Sequence, residues 1–360
     1  MQKANLLSNA LRLLQGPQTF GRGKPFWTVF AVVVALACAY PQFADGYDVG
    51  NNVYFFNWAF MALGLSLIWG YGGTLSFGQT AFFGVAGYTY GIISINFGDA
   101  YGLTLFALIA SVATAAMLAA VLGYFLFFGR ISGVFLGIVT LSVTLVLERF
   151  MAQTAGPEWQ IGTARLNGYN GMGGMPSLTI PWFDGDVVLF PDIQLYYVTL
   201  GLLIVCYLGL RILVNSRFGN VLVAIRENPQ RAEMLGYDIR VYQLVTFVIG
   251  SALAGVSGVF YTSWGNYITP ASMGMTAAAL PIVWVAVGGR GDLTTTLIGT
   301  VIVLAGFQAL TIHGSQYALV VMGVLLVLTV LIAPRGLIFG IFALASGLFN
   351  RKPADRGEQK

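Results

Sequence analysis

Reactive side chains are scarce in this sequence, and their scarcity excludes several classes of protein. There is a single histidine, His313, and there are two cysteines, Cys38 and Cys206, both inside apolar segments. We interpret the cysteines as packed thiols, because a disulfide framework or a structural metal site needs more of them at set spacings. The sequence has no G-x-x-x-x-G-K-[ST] phosphate loop, no H-E-x-x-H zinc motif and no G-x-S-x-G nucleophile motif. We therefore predict that the chain is not an enzyme and does not itself hydrolyse ATP.

Charged residues are also few, and long apolar runs take their place. Only 9% of the residues are charged and 57% are apolar, whereas an average soluble domain has about 25% charged residues. An uncharged apolar run of roughly 18 or more residues is long enough to cross a bilayer as a helix. Because lipid offers the backbone no hydrogen bonds, helices satisfy it internally. The predicted fold class is an all-α polytopic membrane protein with about ten transmembrane helices.

The apolar runs also define the domains. We predict a transmembrane permease domain at residues 26–338, a cytoplasmic N-terminal segment at 1–25 and a cytoplasmic C-terminal tail at 339–360. An even number of spans places both termini on the same side of the membrane. The ten predicted spans are 26–41, 52–71, 77–97, 102–128, 131–151, 193–214, 241–263, 276–289, 293–312 and 316–334.

The basic residues indicate which side that is. All 18 lysines and arginines except Arg149 and Arg165 fall on the side of the membrane that carries the termini. Positive residues concentrate on the cytoplasmic side of membrane proteins, so both termini are predicted to be cytoplasmic. The two longest connections then become an external loop at 152–192 and a cytoplasmic loop at 215–240.

The cytoplasmic loop carries local signals for a short helix. Asn228 is a good N-cap, Pro229 suits the first turn and Gly236 suits the end, so we predict a helix from Pro229 to Leu235. The helix is amphipathic and has arginines beside it. Two roles fit it equally well: resting on lipid headgroups, or docking into a groove on a cytoplasmic partner.

Four stretches of sequence together resemble one family of membrane proteins. They are LSFGQTAFFGVAGY (75–88), ISGVFLGIVTLSVT (131–144), RFGNVLVAIRENPQRAEMLGYD (217–238) and VWVAVGGRGDL (283–293). These stretches are similar, in the same order, to permease subunits of ABC importers of the branched-chain amino acid and urea group. The resemblance runs from about residue 52 to about 338. The extra N-terminal span and the long external loop look like the second of the two permease types in that group.

The resemblance implies partners. It implies a periplasmic binding protein that delivers the solute, a second homologous permease and two cytoplasmic ATPases, in the lipid of the bacterial cytoplasmic (inner) membrane. ATP would be used by those ATPases, so this chain needs no cofactor, and no nucleic acid is involved. The coupling helix of the family would fall on 227–236. The residues expected to couple to the ATPase are Arg226, Glu227, Asn228, Arg231, Ala232, Leu235 and Gly236.

One stretch, GYGGTLSFGQTAFFGVAGY (70–88), mixes glycines and uncharged polar residues between apolar segments. Its glycines predict a bend, because adjacent glycines disfavour a continuous helix. Non-helical backbone at membrane depth is tolerated where it is buried in protein or lines a cavity. We hypothesise that this segment lines the solute path at the interface with the second permease. The residues assigned to the path are Ser76, Gln79, Thr80, Gly73, Gly78 and Trp284.

A second glycine-rich stretch has a similar pattern. Residues 69–87 and 284–303 each begin with Trp, continue with a Gly-Gly pair and a segment that contains Thr, and reach a further Gly. Transporters often contain paired interruptions of this kind in corresponding positions. The pattern therefore suggests a structural relation between the two stretches.

Local features also bear on the solute. The VWVAVGGRG stretch (283–291) and Asn170 favour urea and short amides, and the scarcity of charge inside the spans suits an uncharged solute. Branched-chain or other hydrophobic amino acids are the alternative. A stand-alone secondary transporter or channel is an alternative of another class. Proton-coupled transport requires carboxylates inside the membrane, whereas Glu148 and Arg149 lie near the outer end of a predicted span.

Overall fold

The structure, a computed structural model, describes residues 13–98, 102–182, 185–189, 193–333 and 335–341. These residues are mostly helical, and short turns connect many of the helices. A π-helical turn, Ser66–Tyr71, continues the helix Gly46–Leu65. The α-helices are α1 (Gly23–Ala39), α2 (Gly46–Leu65), α3 (Gln79–Phe97), α4 (Leu103–Phe128), α5 (Val134–Ala152), α6 (Ile193–Asn215), α7 (Arg217–Glu227), α8 (Pro229–Met234), α9 (Ile239–Gly265), α10 (Met275–Gly288) and α11 (Leu293–Ile332).

Each of the ten predicted spans contains a helix, and the all-α polytopic class is confirmed. In the described part of the chain, seven helices are long and apolar enough to cross a membrane. Helix α3 is outside that set although it has 19 residues, because its glutamine, threonines and tyrosines make it less apolar. Two further apolar helices, Met275–Gly288 and Tyr317–Ile332, are shorter.

The last two predicted spans are joined more closely than expected. They form one continuous element, α11, whose regular helix is interrupted only by a kink at Gly314 (φ −168°, ψ 61°). The turn predicted between the two spans is therefore reduced to a kink.

Helix α9 lies at the centre of the bundle and packs against α2, α3 and α4. Small residues allow this close packing. The Cβ of an alanine at Gly64 would collide with the carbonyl oxygen of Gly250, and one at Gly258 would collide with the carbonyl oxygen of Phe83. Because these contacts join backbone to backbone, α2 and α3 have little freedom to move relative to α9 at those points.

The long external loop contains short antiparallel strands. Strand β3 (Met172–Gly173) pairs with β6 (Tyr267–Ile268), with Met172 opposite Ile268, and so joins this loop to the turn that follows α9. The other two pairs are local hairpins, β1 with β2 and β4 with β5. The strands are β1 (Gln160–Ile161), β2 (Ala164–Arg165), β3 (Met172–Gly173), β4 (Thr179–Trp182), β5 (Gly185–Val188) and β6 (Tyr267–Ile268).

Residues 13–22, called here the N-terminal strap, lie across the cytoplasmic ends of several helices. The Gln18 backbone N–H donates to Asn215 Oδ1 at 2.9 Å, and the Phe20 N–H donates to Asp292 Oδ1 at 2.6 Å. Burial raises the pKa of the Asp292 carboxyl, and the backbone N–H groups that it accepts oppose the rise. The strap thus ties α6 to the start of α11.

Arg211, near the inner end of α6, holds the same strap. Its side chain is fully buried and donates to the carbonyl oxygen of Leu14 at 2.6 Å, to that of Gly21 and to the Tyr207 hydroxyl at 2.9 Å. The guanidinium also stacks over the Phe26 ring, 4.4 Å from its centroid. A buried arginine is stable only when its donors are matched by acceptors, and here the strap supplies two of them.

We predict that Arg211→Lys destabilises the protein by about 1–3 kcal/mol, because an ammonium cannot reach acceptors that surround a planar guanidinium. The free energy of unfolding in detergent would be measured, with the exposed Arg217→Lys as the matched control. Equal stability of the two variants would show that the strap does not depend on Arg211.

Candidate functional site

The predicted bend in the 70–88 stretch is present. Helix α2 ends in the π-helical turn at Ser66–Tyr71, and α3 begins only at Gln79, so residues 72–78 are not helical. Gly73 has φ +73°, a backbone conformation that favours glycine. A Cβ at Gly73 would also lie 2.7 Å from Arg226 Cγ of the cytoplasmic loop. The bend is therefore packed against that loop.

Threonines of α5 supply hydrogen bonds to the bend. The Phe77 N–H donates to Thr140 Oγ1 at 3.1 Å, and the Phe77 carbonyl accepts from Thr144 Oγ1 at 3.3 Å. The Gly78 N–H donates to Ser76 Oγ at 3.1 Å. Buried backbone groups outside a helix need such partners, and the Ser76 hydroxyl is used for this purpose.

We predict that Thr140→Val, which keeps the shape of the side chain, destabilises the protein by about 1–3 kcal/mol, since it leaves the buried Phe77 N–H without its acceptor. Ser142→Ala is the control on the same helix, because Ser142 is exposed and bonds only to the carbonyl of Ile138. Thermal unfolding in detergent measures both variants. Equal midpoints would contradict the importance of the Thr140 hydrogen bond.

Gln79 and Thr80, at the start of α3, have buried polar side chains without hydrogen-bond partners among the described residues. Their side chains are 2% and 0% exposed, and among the described residues neither the Gln79 carboxamide nor the Thr80 hydroxyl has a hydrogen-bond partner. The same holds for the carboxamide of Asn57 in α2, which sequence reasoning missed although an asparagine inside an apolar span is a signal. An unpaired buried polar group costs about 1–3 kcal/mol. Such groups suit a site whose partner is supplied from outside the chain.

Trp284, the remaining residue assigned to the path, belongs to an aromatic cluster. Its ring centroid is 5.4 Å from that of Trp58, which stacks on Phe83 of α3 at 5.1 Å. Trp58 also contacts Tyr54 at 5.8 Å, and Tyr54 lines a cavity of about 550 Å³ near the outer end of the bundle. The aromatic cluster, and not the 76–80 segment, therefore reaches the border of this cavity in the isolated chain.

The two glycine-rich stretches that share a pattern meet each other at the inner end of the bundle. Both 69–87 and 284–303 connect the end of one helix to the start of the next. Ser66 Oγ donates to the carbonyl oxygen of Arg290 at 3.3 Å. At Gly70 a Cβ would collide with that carbonyl. The turns after α2 and after α10 are therefore in direct backbone contact.

The helix predicted in the cytoplasmic loop is confirmed as α8, one residue shorter than expected. Asn228 Oδ1 accepts from the Arg231 N–H at 3.0 Å, which is the predicted N-cap. Gly236 has φ +88°, and its N–H donates to the Glu233 carbonyl at 2.9 Å. These caps satisfy the ends of the helix locally, so the sequence alone was sufficient to locate it.

The exposed side of α8 differs from the predicted one. Ala232, which we expected to face the ATPase, is 2% exposed and packs with Val221 and Ile225 of α7. Residues 229–231 and 233–236 are exposed, and the large apolar side chains among them are Met234 and Leu235, at 86% and 75%. Sequence reasoning found Leu235 but missed Met234. Two large exposed apolar side chains at this position fit both predicted roles, contact with lipid headgroups and docking on a partner.

Arg226 also turns toward its own chain, whereas the Glu227 side chain is 69% exposed and pairs with Arg226. Arg226 Nη1 donates to the carbonyl oxygen of Gly70 at 2.6 Å, and its Nη2 lies 2.7 Å from Glu227 Oε1. On the other side, Glu233 of α8 pairs with Arg130 in the turn between α4 and α5 at 3.7 Å. Arg226 therefore connects the cytoplasmic loop to the bend rather than projecting from the exposed tip of α8.

The described residues form a bundle of apolar helices with a bend at its inner end and a short capped helix, α8, on the cytoplasmic side, which is the architecture expected of a membrane permease. Residues 52–330 match the family described as branched-chain amino acid transport system / permease component. The match covers well over half of the 360 residues, and the chain belongs to this family. It is a non-catalytic permease subunit of an ABC importer and a multi-pass protein of the inner membrane.

Individual relatives agree with the family. The chain is 25% identical over 325 residues to the high-affinity branched-chain amino acid transport system permease protein LivM of Escherichia coli (strain K12), covering 85% of this chain and 73% of that protein. It is 30% identical over 156 residues to a probable LivM of Methanocaldococcus jannaschii, covering 39% and 45%. It is 29% identical over 158 residues to BraD of Pseudomonas aeruginosa, covering 43% and 50%. No solved structure matches the chain.

The relatives bear on the predicted solute. They are named for branched-chain amino acid transport, which favours the alternative solute over urea and short amides. Asn170, one of the residues that favoured urea, is exposed in the turn Gly168–Asn170 of the external loop.

Proposed function

We propose that this chain forms, with a second homologous permease, the path by which branched-chain amino acids enter the cytoplasm. A periplasmic binding protein delivers the solute, and two cytoplasmic ATPases drive the cycle. The observation that carries the proposal is the family match over residues 52–330, together with relatives that are named for this solute class.

The polar and apolar groups of the site suit such a solute. Gln79, Thr80 and Asn57 offer uncharged hydrogen-bonding groups that lack partners among the described residues, and these can serve the ammonium and carboxylate of a zwitterion. Trp58 and Trp284 provide apolar surface for a branched side chain. The solute meets these groups when the second permease and this chain move apart at the bend.

The positions of the carboxylates argue against a secondary transporter, which needs carboxylates inside the membrane to carry protons. Among the described residues the buried carboxylate is Asp292, which caps α11 at the cytoplasmic turn and accepts from the Thr295 N–H at 2.9 Å. Glu148, near the outer end of α5, lies 3.6 Å from Arg149. A carboxylate engaged in this way is a poor carrier of protons across the membrane, so ATP-driven transport is the better account.

In the proposed coupling, one side of the cytoplasmic loop binds the ATPase and the other side contacts the bend. The exposed Met234 and Leu235 insert into an apolar groove of the ATPase, as the anchors of an amphipathic helix do. Arg231 and Gly236 are also exposed beside them. Arg226, through its bond to the Gly70 carbonyl, carries the displacement of the loop to the bend.

For coupling, we predict that the double variant Met234→Ser/Leu235→Ser co-purifies with about tenfold less ATPase than wild type, since two exposed anchors of an interface typically contribute more than 1 kcal/mol between them. Binding of the purified ATPase to permease in nanodiscs measures this. Met275→Ser is the control, because Met275 is 67% exposed at the outer end of α10. Undiminished ATPase binding by the double variant would refute the docking surface.

For transport, we expect leucine, isoleucine and valine with the cognate binding protein to stimulate the ATPase activity of the reconstituted complex, and urea to have no effect.

We expect Gln79→Leu to reduce uptake about tenfold or more while the complex still assembles, since the variant removes a polar group that the solute meets. Gln153→Leu, at an exposed position beyond the outer end of α5, is the control. Stimulation by urea and not by leucine would contradict the solute, and full uptake by Gln79→Leu would remove that residue from the path.

A further inference from the structure

Two adjacent cavities lie at the inner end of the bundle, and they differ in chemistry. The first, called here the basic cavity, has a volume of about 480 Å³. The second, called here the apolar crevice, has a volume of about 140 Å³ and is lined by Ala286, Val330 and Ala333 among others. Both cavities are lined by Trp69 and Arg290. The two spaces therefore form one site with a charged part and an apolar part.

The basic cavity holds more positive than negative charge. Its lining includes three arginines, Arg226, Arg290 and Arg335, and one carboxylate, Glu227. Arg226 is paired with Glu227 at 2.7 Å. Within the described ranges neither Arg290 nor Arg335 has an ion pair. Three arginines less one glutamate leave two positive charges for an anionic ligand.

The nearby aspartate does not neutralise these charges. Asp292, two residues from Arg290, is 1% exposed, and its two carboxylate oxygens accept from the backbone N–H groups of Phe20 and Thr295 at 2.6 and 2.9 Å. Those bonds direct the carboxylate to the N-terminal strap and to the start of α11. The two arginines thus face the cavity without a competing acidic group from their own turn.

Close backbone packing fixes the two arginines near each other. Gly289 (φ +120°) and Gly336 (φ +104°) adjoin the two arginines, and a Cβ on Gly336 would collide with the Gly289 backbone. The Arg290 carbonyl is also held by Ser66 Oγ at 3.3 Å. A site whose backbone is fixed in this way loses little entropy when a ligand binds.

The apolar crevice lies at the level of the membrane surface. The Arg290 guanidinium is 5.2 Å from the centroid of the Trp69 ring, and tryptophan is enriched at the membrane–water interface. On the inner end of α11, beside the crevice, Val330, Leu331 and Ile332 are 55%, 74% and 73% exposed. These outward apolar side chains place the crevice beside the hydrocarbon of the inner leaflet.

We infer that this site binds an anionic phospholipid of the cytoplasmic leaflet. The phosphate lies between Arg290 and Arg335, and an acyl chain follows the apolar crevice past Val330 and Ala333. Basic pockets between helices on the cytoplasmic side are suited to phospholipid headgroups, and arginine binds phosphate through paired N–H donors. A free phosphate would use the arginines but not the crevice, and a carboxylate of the ATPase would leave the crevice unfilled as well. The lipid is the ligand that uses both parts.

A bound lipid would also affect the moving parts of the protein. The basic cavity is bordered by Gly73 of the bend and by Arg226 of the cytoplasmic loop. A phosphate held there adds an anionic partner next to the bond between Arg226 and the Gly70 carbonyl. The occupancy of the site can therefore tune how firmly the loop holds the bend.

The test compares variants of the full chain in nanodiscs by native mass spectrometry and by lipid titration. We expect wild type to retain phosphatidylglycerol in preference to phosphatidylcholine. Arg290→Gln/Arg335→Gln should weaken phosphatidylglycerol binding about tenfold or more, since each basic residue near the surface contributes about 1 kcal/mol. The control Lys24→Gln/Arg217→Gln removes the same charge from exposed positions on the same face and should bind like wild type.

A second variant tests the apolar part without any change of charge. Ala333→Leu narrows the crevice, so it should weaken long-chain phosphatidylglycerol while leaving a dihexanoyl analogue unaffected. If inorganic phosphate at millimolar concentration displaced the lipid whatever its chain length, the site would be a simple anion site and the inference would be overturned. Equal lipid binding by the arginine variant and its control would also overturn it. The inference would also fail if the Arg290→Gln/Arg335→Gln variant lost ATPase binding but kept its lipid binding, because the arginines would then serve the ATPase.

Discussion

The backbone of residues 72–78 leaves the helical conformation at the inner end of the bundle, so its polar groups need partners other than a helix, and much of the structure follows from that constraint. The bend is possible because Thr140 and Thr144 of α5 bond to Phe77. It stays in place because the Gly70 carbonyl accepts from Arg226. Within the bend, Gly72, Ser76 and Gly78 are buried, whereas Gly73 is exposed at the border of the basic cavity.

Two glycine-rich turns meet at the inner end of the bundle, beside the cytoplasmic loop. The turn after α2 contacts the turn after α10 through the Arg290 carbonyl, and Arg226 reaches the first of them from the cytoplasmic loop. The exposed tip of that loop, at Met234 and Leu235, is on the other side of α8. A short series of contacts therefore connects the tip of the loop with the bend.

Basic residues on the cytoplasmic side have different roles once they are placed in three dimensions. Arg211 is buried and holds the N-terminal strap by bonds to the Leu14 and Gly21 carbonyls. Arg226 holds the bend, whereas Arg290 and Arg335 face a cavity. The rule that positive charge stays inside the cell predicts the side of the membrane for all of them equally. It does not predict which are structural and which are free to bind a ligand.

The sequence by itself determined the all-α membrane class, the segments that form helices, the cap at Asn228 and the bend around Gly73, because apolar length and capping or glycine signals act over a few neighbouring residues. Tertiary structure decided what sequence reasoning missed: that Ala232 faces α7 and that α5 threonines bond to Phe77. These contacts join residues distant in the chain, so no local pattern encodes them. The prediction of urea as the solute was also based on local sequence patterns. The relatives are named for branched-chain amino acid transport instead. Local patterns do not determine the solute, because the groups that contact it are brought together from several helices.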